Sequence, residues 1–372
     1  MNKLPNGWQI KTLSEVCSPS SSNIAFKDVK DKKGDYPIYG ASGIVAYSNF
    51  YSKEKECIGI VKDGSVGKIF LLPAKSSVIS TLNYLENFDN LDIKYLYYFL
   101  HCINFGQYIK GSVIPHIYFR DYKKEKIPLP PLAIQKQIAE RLDYLFDKID
   151  KALTFLKENK EYIKKYRLSI LKYAFEGKLT PSSKNWETKT LGEVCEILDN
   201  MRKPINATER KRRLKKSNFR YAYYGATGQI GYIDNFLCDF EAILLGEDGA
   251  PFLDPFKDKA YIVSGKYWVN NHAHILRARE NISINEFICY FLNILDYTSY
   301  VGGTTRLKLN QFSMKRINIP IPNIETQKEI VSILDKKFKA MDEIERLNNE
   351  NIENLLLLKK SLLKEAFSGK LI

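Results

Sequence analysis

Residues 171–179, LKYAFEGKL, and residues 363–371, LKEAFSGKL, are two copies of one segment that lie 192 positions apart. The same offset continues backward without a gap through Gln135 and Gln327, so the repeated block has a fixed length. A fixed length is typical of a helix, because an inserted residue would rotate one helical face away from its partner. The sequence therefore predicts two long, equivalent helices.

Residues at every seventh position of the first predicted helix fit the seam of a coiled coil, and those of the second helix fit it less well. Two such series run along each helix: Leu142, Ile149, Leu156, Ile163 and Ile170 with Leu145, Ala152, Asn159, Tyr166 and Tyr173 in the first, and Leu334, Met341, Asn348, Leu355 and Leu362 with Lys337, Ile344, Asn351, Leu358 and Glu365 in the second. Asn159 and Asn351 are equivalent, and polar seam residues fix register at some loss of stability. We therefore predict that this pair sets the register. A helical hairpin that only holds domains together is the alternative.

The segments before the two helices also repeat. Residues 8–17 match residues 186–195 at seven of ten positions, with an offset of 178 that grows to 192 by Gly111 and Gly303. The globular modules have therefore changed in loop length while the helices have not. The predicted boundaries are residues 1–131 for the first domain, 132–179 for the first helix, 180–184 for a linker, 185–322 for the second domain and 323–372 for the second helix.

Short runs of β-branched and aromatic residues between glycine turns indicate that both modules are rich in β-strands. We also expect one amphipathic helix per module, at residues 91–104 and 284–295. The predicted fold class is α+β: two β-rich domains joined by two long antiparallel helices that form a coiled coil, with pseudo-two-fold symmetry. The strands predicted in the first module cover residues 36–39, 44–47, 57–61 and 68–72.

The charge balance points to a polyanionic partner. The formal net charge is +14 at pH 7, which favours nucleic acid or a membrane surface. The sequence contains no run of about 18 apolar residues and its first residues lack a signal-peptide core, so we expect a cytoplasmic protein without a membrane partner. The six cysteines form no CxxC pair, which favours buried thiols over zinc ligands or disulfides.

Motifs for catalysis are missing from the sequence. Residues 63–68, DGSVGK, lack the spacing of a P-loop and are predicted to form a hairpin turn. His272 and His274 have only two other histidines in the chain to complete a metal site. A protein that combines an internal repeat, a basic charge and no catalytic motif is predicted to bind without catalysing, and to hold no metal or cofactor of its own.

Several repeated motifs together resemble one known family, the specificity subunit of Type I restriction-modification enzymes. The resemblance covers the whole chain, and its specificity comes from the order and duplication of the motifs. These are residues 8–16 and their copy, the turns YGASG (39–43) and YGATG (224–228), the segments IPLPPL (127–132) and IPIP (319–322) followed by Gln135 and Gln327, and the AFEGKL and AFSGKL endings.

The resemblance implies a division of labour in a larger complex. Each target-recognition domain would read one half of a split sequence in double-stranded DNA, and the antiparallel helices would set the distance between the halves. Two modification subunits would dock on the chain and methylate adenine with S-adenosylmethionine, and restriction subunits would use ATP and Mg²⁺ to translocate and cut DNA. The chain itself would be a non-catalytic subunit.

Candidate DNA-binding residues are polar or basic side chains on turns that differ between the modules. A basic run between residues 202 and 220 is compatible with a solvated loop or with phosphate contacts. The first module supplies Ser42, Lys62, Ser65, Lys68, Ser112 and His116. The second supplies Arg202, Lys203, Thr227, Gln229, Glu247, Arg306 and Lys308.

Three other interpretations remain open at the level of sequence. The chain could be the recognition module of another restriction-modification class, which its co-purifying partner would reveal. A nuclease that acts alone would cleave DNA without a partner. For a scaffold, DNA binding would be absent or insensitive to salt.

Overall fold

The computed structural model describes residues 4–180 and 186–372. It divides into two compact units, of which unit 1 comprises Met1–Leu156 and Asn349–Ile372 and unit 2 comprises Lys157–Asn348. We call the globular part of unit 1 (residues 4–131) module 1 and that of unit 2 (residues 186–322) module 2. Each unit therefore holds one module and part of each long helix. Of the predicted linker 180–184, only Thr180 is among the described residues.

Module 1 contains nine strands and three short α-helices, and the first long helix, α4, follows it. Thr12 caps the first of these helices, because its backbone and side chain both donate to Glu15 in a capping box. The elements are β1 (Gln9–Thr12), α1 (Leu13–Val16), β2 (Cys17–Ser21), β3 (Tyr36–Gly40), β4 (Gly43–Ser48), β5 (Cys57–Val61), β6 (Ile69–Leu72), β7 (Ser77–Val78), β8 (Leu82–Asn87), α2 (Ile93–Leu100), α3 (Phe119–Tyr122), β9 (Lys126–Leu129) and α4 (Leu132–Phe175).

Module 2 repeats this series and adds two elements, a basic helix and a short strand. Thr190 and Glu193 form the same capping box as Thr12 and Glu15. The elements are β10 (Glu187–Thr190), α5 (Leu191–Val194), β11 (Cys195–Ile197), α6 (Ala207–Leu214), β12 (Tyr221–Gly225), β13 (Gly228–Ile233), β14 (Cys238–Asp239), β15 (Ala242–Gly246), β16 (Ala260–Val263), β17 (Lys266–Val269), β18 (Ala273–Ala278), α7 (Asn285–Ile294), α8 (Gln311–Lys315), β19 (Asn318–Ile321) and α9 (Ile324–Ala366).

The two modules have the same sheet topology. Each contains a two-stranded pair, β1-β9 or β10-β19, and a four-stranded sheet, β2-β8-β5-β6 or β11-β18-β15-β16. The third sheet is β4-β3-β7 in module 1 and β13-β12-β17-β14 in module 2, where β14 adds one strand. The predicted α+β class and internal duplication are therefore confirmed, as are the predicted hairpins of module 1.

The repeated glutamine of each half ties the start of a long helix to its module. Gln135 is buried, donates to the Pro130 carbonyl at 2.8 Å and accepts from the Asp92 backbone at 2.8 Å. Gln327 is also buried and donates to the Pro322 carbonyl at 2.8 Å. A buried amide with all its polar atoms engaged is costly to replace. This explains why the glutamine occurs in both copies.

Burial along α4 follows the predicted seam only in part. Leu142, Ile149, Ile163 and Ile170 are buried, as the first heptad series predicts. The second series fails at Tyr166 and Tyr173, which are 53% and 47% exposed, and Leu171 and Ala174 are buried instead. An α-helix with about 3.6 residues per turn drifts from a seven-residue repeat. The buried face therefore moves around the helix.

Within each unit the two long helices run antiparallel. In unit 2, Asn159 and Arg167 of α4 bond to Asn348 and Asp342 of α9, so the order reverses from one helix to the other. In unit 1, Asp150 forms an ion pair with Lys359, and residues nearer the start of α4 share a buried cluster with later residues of α9. This arrangement agrees with the predicted fold class.

Two further expectations can be compared with the structure. All six cysteines are free thiols, and only Cys102 is exposed. Within residues 4–180 and 186–372, no helix combines the length and apolar character needed to cross a membrane.

Candidate nucleic-acid interface

Three loops of module 1 are held together by hydrogen bonds. We call them loop cluster 1, which consists of the connections 40–43, 62–68 and 110–116. Lys68 Nζ donates to the Ala41 carbonyl at 3.1 Å, which joins the first two loops. The Gly64 backbone amide donates to the Pro115 carbonyl at 2.9 Å, which joins the second and third. The sheet edges thus bring together loops that are far apart in sequence.

All six residues predicted for module 1 lie on loop cluster 1. The structure places them on one connected set of turns, and four of them have exposed side chains while two are half-buried. The exposed residues are Ser42, Ser65, Lys68 and Ser112, and the half-buried residues are Lys62 and His116.

Module 2 has a matching loop cluster 2, which consists of the connections 225–229, 246–250 and 302–308. The Gly249 backbone amide donates to the Leu307 carbonyl at 3.2 Å, and the Leu309 amide donates to the Glu247 carbonyl at 2.7 Å. These bonds correspond to the bond from Gly64 to Pro115 and to a bond of 2.9 Å from the Ile117 amide to Lys62. The two clusters therefore share one backbone framework.

The third loop of each cluster is the same tight turn. Gly111 and Gly303 have φ angles of +88° and +103°, which favour glycine. A Cβ atom at either position would lie 2.5 Å from a backbone oxygen, that of Ile114 or that of Arg306. The backbone is thus the same, whereas the two residues at the tip differ. Val113 and Ile114 stand where module 2 has Thr305 and Arg306.

Behind loop cluster 2 lies a network of charged side chains that sequence reasoning did not reveal. The Arg202 guanidinium pairs with Glu247 and lies 3.2 Å from an Asp199 oxygen. His274 is buried, with Nδ1 2.7 Å from Asp199 and Nε2 2.8 Å from the Leu309 carbonyl oxygen. The ring therefore links the Asp199 carboxyl group to the segment that carries Leu309. The network fixes four chain segments to one another, those that carry Arg202, Glu247, His274 and Leu309.

This network lowers the pKa of two carboxyl groups. Burial alone would raise the pKa of Asp199, but hydrogen bonding and charge from His274, together with the Arg202 charge, outweigh it and lower the pKa. Burial likewise opposes ionisation of Glu247, whose pKa is lowered by hydrogen bonds from Arg202 and Lys308. Both groups are therefore carboxylates near neutral pH, and Glu247 holds the Lys308 ammonium 3.0 Å away.

Asp199, Glu247 and His274 also have the composition of a metal site. Their potential ligand atoms lie within 4.8 Å of one another. However, the Arg202 guanidinium contacts both carboxylates and supplies the positive charge that a metal ion would bring. His272 likewise uses its Nδ1 atom at 2.7 Å from Asp248. The two histidines considered as metal ligands therefore contact carboxyl groups within module 2.

The exposed part of loop cluster 2 carries most of the other predicted residues. Arg306 is 59% exposed and its Nη2 atom lies 2.6 Å from Asp248 Oδ1. Thr227, Gln229 and Lys308 of this cluster are also exposed, as is Lys203, which lies outside it. Arg202 and Glu247 differ from these residues because their side chains are only 16% and 12% exposed and are engaged with each other. The predicted residues of module 2 thus form an outer and an inner group.

The basic run of module 2 is only partly the loop considered from the sequence, because Ala207–Leu214 within it form helix α6. Asn206 caps this helix by accepting from the Glu209 amide at 2.9 Å. Arg210 stacks over the Tyr223 ring and Arg213 over the Trp268 ring, at 4.3 and 5.1 Å from the ring centroids. These two arginines attach the helix to module 2. The other cations of the run, Lys211, Arg212, Lys215, Lys216 and Arg220, are exposed.

Exposed aromatic side chains mark one face of α4. In unit 2, Tyr162, Tyr166 and Tyr173 are spaced by four and seven residues, which places them on one helical face. Next to Tyr173 a groove of about 350 Å³ is lined by Lys165, Leu168, Lys172 and Phe256, among others. In unit 1, Tyr144 and Phe155 are 56% and 66% exposed. Apolar surface of this kind is typical of a protein interface.

The fold and the two loop clusters define a duplicated recognition protein. A family model described as "Type I restriction modification DNA specificity domain" matches residues 5–165 and again residues 183–354. The chain therefore belongs to the family of type I restriction-modification DNA specificity subunits, which are not the catalytic subunits of their complexes.

Individual relatives agree with this family. A putative type I restriction enzyme specificity subunit of Haemophilus influenzae, S.HindORF215P, is 34% identical over 40% of this chain, and the match spans 36% of that protein. The putative MjaX specificity subunit of Methanocaldococcus jannaschii is 26% identical over 100% of this chain and 95% of its own length. A solved chain from work on complex assembly and conformational transition of the type I R-M system has 17% identity and a TM-score of 0.76, with 100% of both chains covered. At that identity the likeness concerns the fold alone.

Proposed function

We propose that each module of this specificity subunit binds one half of a split target in double-stranded DNA through its loop cluster. The observation that carries the proposal is the shared backbone framework of the two clusters with different side chains at the tips. Two readers of one design but different surface chemistry suit a target whose halves differ in sequence. The exposed cations of both clusters suit the negative potential of DNA.

The predicted residues divide into two roles in this proposal. The exposed or half-buried side chains contact DNA, whereas Arg202 and Glu247 position the loop that carries Lys308. Phosphate contacts would hold each module on the duplex, and base contacts at the loop tips would select the sequence. The contacting group consists of Ser42, Lys62, Ser65, Lys68, Ser112, His116, Lys203, Thr227, Gln229, Arg306 and Lys308.

The long helices have two roles in the proposed complex. The spacing between the half-sites would be set by the helices, residues 132–179 and 323–372. The recognition domains would be residues 1–131 and 185–322. The exposed aromatic face of α4 supports a second role as the docking surface for modification subunits, two of which we expect per chain. Those subunits would carry S-adenosylmethionine. Restriction subunits would bring the ATP and Mg²⁺ chemistry, and the complex would work in the cytoplasm on cellular DNA.

A methylation experiment tests this proposal. The full chain is expressed with its cognate modification subunit in a host without adenine methylation, and methylated positions are mapped by sequencing. We expect one split motif that depends on both proteins. A double substitution in module 2, Thr305→Val with Arg306→Ile, should change the second half of the motif and leave the first half unchanged. If the chain directs no methylation at any specific sequence, the proposal is wrong.

Two other functions have distinct outcomes in companion experiments. A recognition module of another restriction-modification class would co-purify with a single protein that both cuts and methylates. A nuclease that acts alone would cleave DNA when the pure chain is given Mg²⁺ and S-adenosylmethionine. We expect neither result, because the carboxylates beside loop cluster 2 are paired with Arg202 in the internal ion network of module 2.

A further inference from the structure

The tip of the third loop of module 1 is an exposed apolar pair on a polar surface. Val113 is 90% exposed and Ile114 is 63% exposed. Single exposed apolar residues are common in proteins and need no explanation. Here, however, two neighbouring β-branched side chains occupy the positions where module 2 places Thr305 and Arg306, on the same backbone turn. The exposed apolar tip therefore indicates contact with a ligand.

The loop holds this apolar tip rigidly. Lys110 and His116 exchange two backbone hydrogen bonds, at 2.9 and 2.8 Å, across the base of the turn. The Lys110 ammonium is fixed by Asp121 at 2.7 Å. Gly111 cannot be replaced without a clash, and Pro115 restricts the chain after the tip. The tip thus needs little further ordering to make a contact, which favours binding.

The surroundings of the tip point to DNA. Lys62, Lys68 and Lys110 lie on the loops of cluster 1, and the Arg120 guanidinium stacks over Tyr118 at 4.7 Å from the ring centroid. An exposed apolar pair on a loop cluster that also carries cations is complementary to a duplex, in which phosphates flank the base edges. Among base edges exposed in the major groove, only thymine presents an aliphatic group, its 5-methyl.

We propose that Val113 and Ile114 read a thymine in the first half-site by packing against its 5-methyl group in the major groove. The proposal rests on the function proposed above, in which loop cluster 1 binds a half-site. It assigns opposite chemistry to equivalent positions of the two modules, since an apolar pair stands in module 1 where an arginine stands in module 2. The tip then determines specificity by excluding bases that lack the methyl group.

The test replaces thymine by deoxyuridine, which removes the methyl group and keeps base pairing. Once the target is mapped, binding of the full chain with its modification subunit is measured by fluorescence anisotropy. Each thymine of the first half-site is replaced in turn on a synthetic duplex. At one position we expect the affinity to fall about fourfold, the factor that corresponds to burial of one methyl-sized group. Any effect of the same replacements in the second half-site should not depend on this loop.

Protein variants link that effect to the tip. The double substitution Val113→Ala with Ile114→Ala should abolish the difference between thymine and deoxyuridine at that position. Ile10→Ala is the matched control, because Ile10 is 52% exposed and lies on β1, which pairs with β9 away from the loops of cluster 1. The control should keep the fourfold ratio. Melting temperatures of both variants verify that they fold.

Other outcomes overturn the proposal in recognisable ways. No sensitivity to deoxyuridine in a chain that still binds its mapped target refutes methyl reading but leaves the proposed function intact. Loss of co-purification with the modification subunit in the double variant, with the deoxyuridine ratio unchanged, would make the tip a protein contact instead. If Val113 and Ile114 instead insert between base pairs as a wedge, the alanine variant should bind all sequences more weakly by the same factor. The affinity would then not depend on the methyl group. Absence of any specific target refutes both proposals.

Discussion

The side-chain amide of Asn159 donates a hydrogen bond to the side-chain oxygen of Asn348 at 3.4 Å within unit 2. Asn348 is buried, and its own amide nitrogen has no hydrogen-bond partner among the described residues. The repeat predicted Asn159 and Asn351 as the polar pair of the seam, yet Asn351 is exposed. We therefore assign Asn348, and not Asn351, as the partner of Asn159. That this pair sets the register of the two helices remains a proposal.

Replacing both Asn159 and Asn348 with leucine should stabilise the chain. A buried donor without a partner costs about 1–3 kcal/mol, and leucine would add apolar contact between the helices. We expect the melting temperature to rise by at least about 2 °C in calorimetry. Asn351→Leu is the control and should leave the melting temperature unchanged, because its side chain is exposed. A lower melting temperature of the double variant would mean that the amide pair contributes more than the unpaired donor costs.

Substitution of Arg202 by methionine should destabilise module 2. It would remove the cation that Asp199 and Glu247 share, while His274 and Lys308 stay beside them. We expect a loss of about 1–3 kcal/mol, the cost of a lost partner for a buried polar group. Urea unfolding at pH 7, followed by tryptophan fluorescence to which Trp268 contributes, measures the change in unfolding free energy. Arg212→Met is the control, because Arg212 forms an exposed pair with Glu209 and such pairs contribute little. Equal effects of the two variants would refute the structural role of Arg202.

The same network predicts how stability depends on pH. The folded-state pKa values of Asp199 and Glu247 are lowered, so their contribution is fully present above the unfolded values of about 4. It is lost as the pH falls through the lower folded values. The stability difference between the wild type and Arg202→Met should therefore be largest near neutral pH and shrink below about pH 4. A difference that is independent of pH would exclude the carboxylates as its source.

The sequence predicted the framework of the chain well, because local signals determine it. The glycine turns at residues 40–43 and 225–228 and the repeated helix endings correspond to the observed hairpins and to Gly177 and Gly369, both with positive φ. These features depend on backbone geometry that one residue type satisfies best. They are visible in a single sequence for that reason.

Features that depend on contacts between distant segments were not predictable in the same way. Arg202 and Asp199 are separated from Glu247 and His274 by many residues, and only the sheet brings them together. Charge alone made Arg202 a candidate for DNA contact, although its side chain is engaged within module 2. The polarity rule for choosing candidates also excluded Val113 and Ile114. Alignment of the two loop tips could have identified them, because apolar residues in module 1 stand where module 2 has Arg306.

Neutralising the exposed cations on α6 and directly after it should weaken DNA binding without changing the target. For every phosphate that the protein no longer neutralises, the slope of log affinity against log salt falls by about 0.9. Fluorescence anisotropy over a range of salt concentrations measures that slope, and methylation mapping reports the motif. The variant replaces Lys211, Arg212, Lys215 and Lys216 with glutamine.

The control for α6 removes positive charge elsewhere in the chain. Lys123 and Lys124 are exposed between α3 and β9, and their replacement with glutamine should leave the salt slope unchanged. An equal decrease of the slope in both variants would indicate that net charge alone weakens binding. An unchanged slope for the α6 variant would mean that this helix is a solvated face.

Arg306→Lys should relax recognition at one base pair of the second half-site. Asp248 contacts Arg306 at 2.6 Å and His272 at 2.7 Å, so it limits the positions that the guanidinium can adopt. A guanidinium can form two hydrogen bonds with guanine. Lysine keeps the charge but loses the fork geometry, so discrimination at that pair should fall at least about tenfold. Arg316→Lys, whose side chain stacks over Phe312, is the control. Equal weakening for all sequences would indicate a phosphate contact instead.

The role of the long helices as a spacer can be tested by changing their length. Four residues are inserted into both helices, after Leu156 in α4 and after Asn348 in α9, where the units divide. Each helix becomes about 6 Å longer, which corresponds to roughly two base pairs of DNA. Methylation mapping should show unchanged half-sites with a longer spacer. An insertion in one helix alone serves as the control and should lower the melting temperature, because the two helices would no longer match along their length. If the double insertion keeps the original spacing, helix length does not determine the distance between the half-sites. That distance would then be set by the modules and their partners.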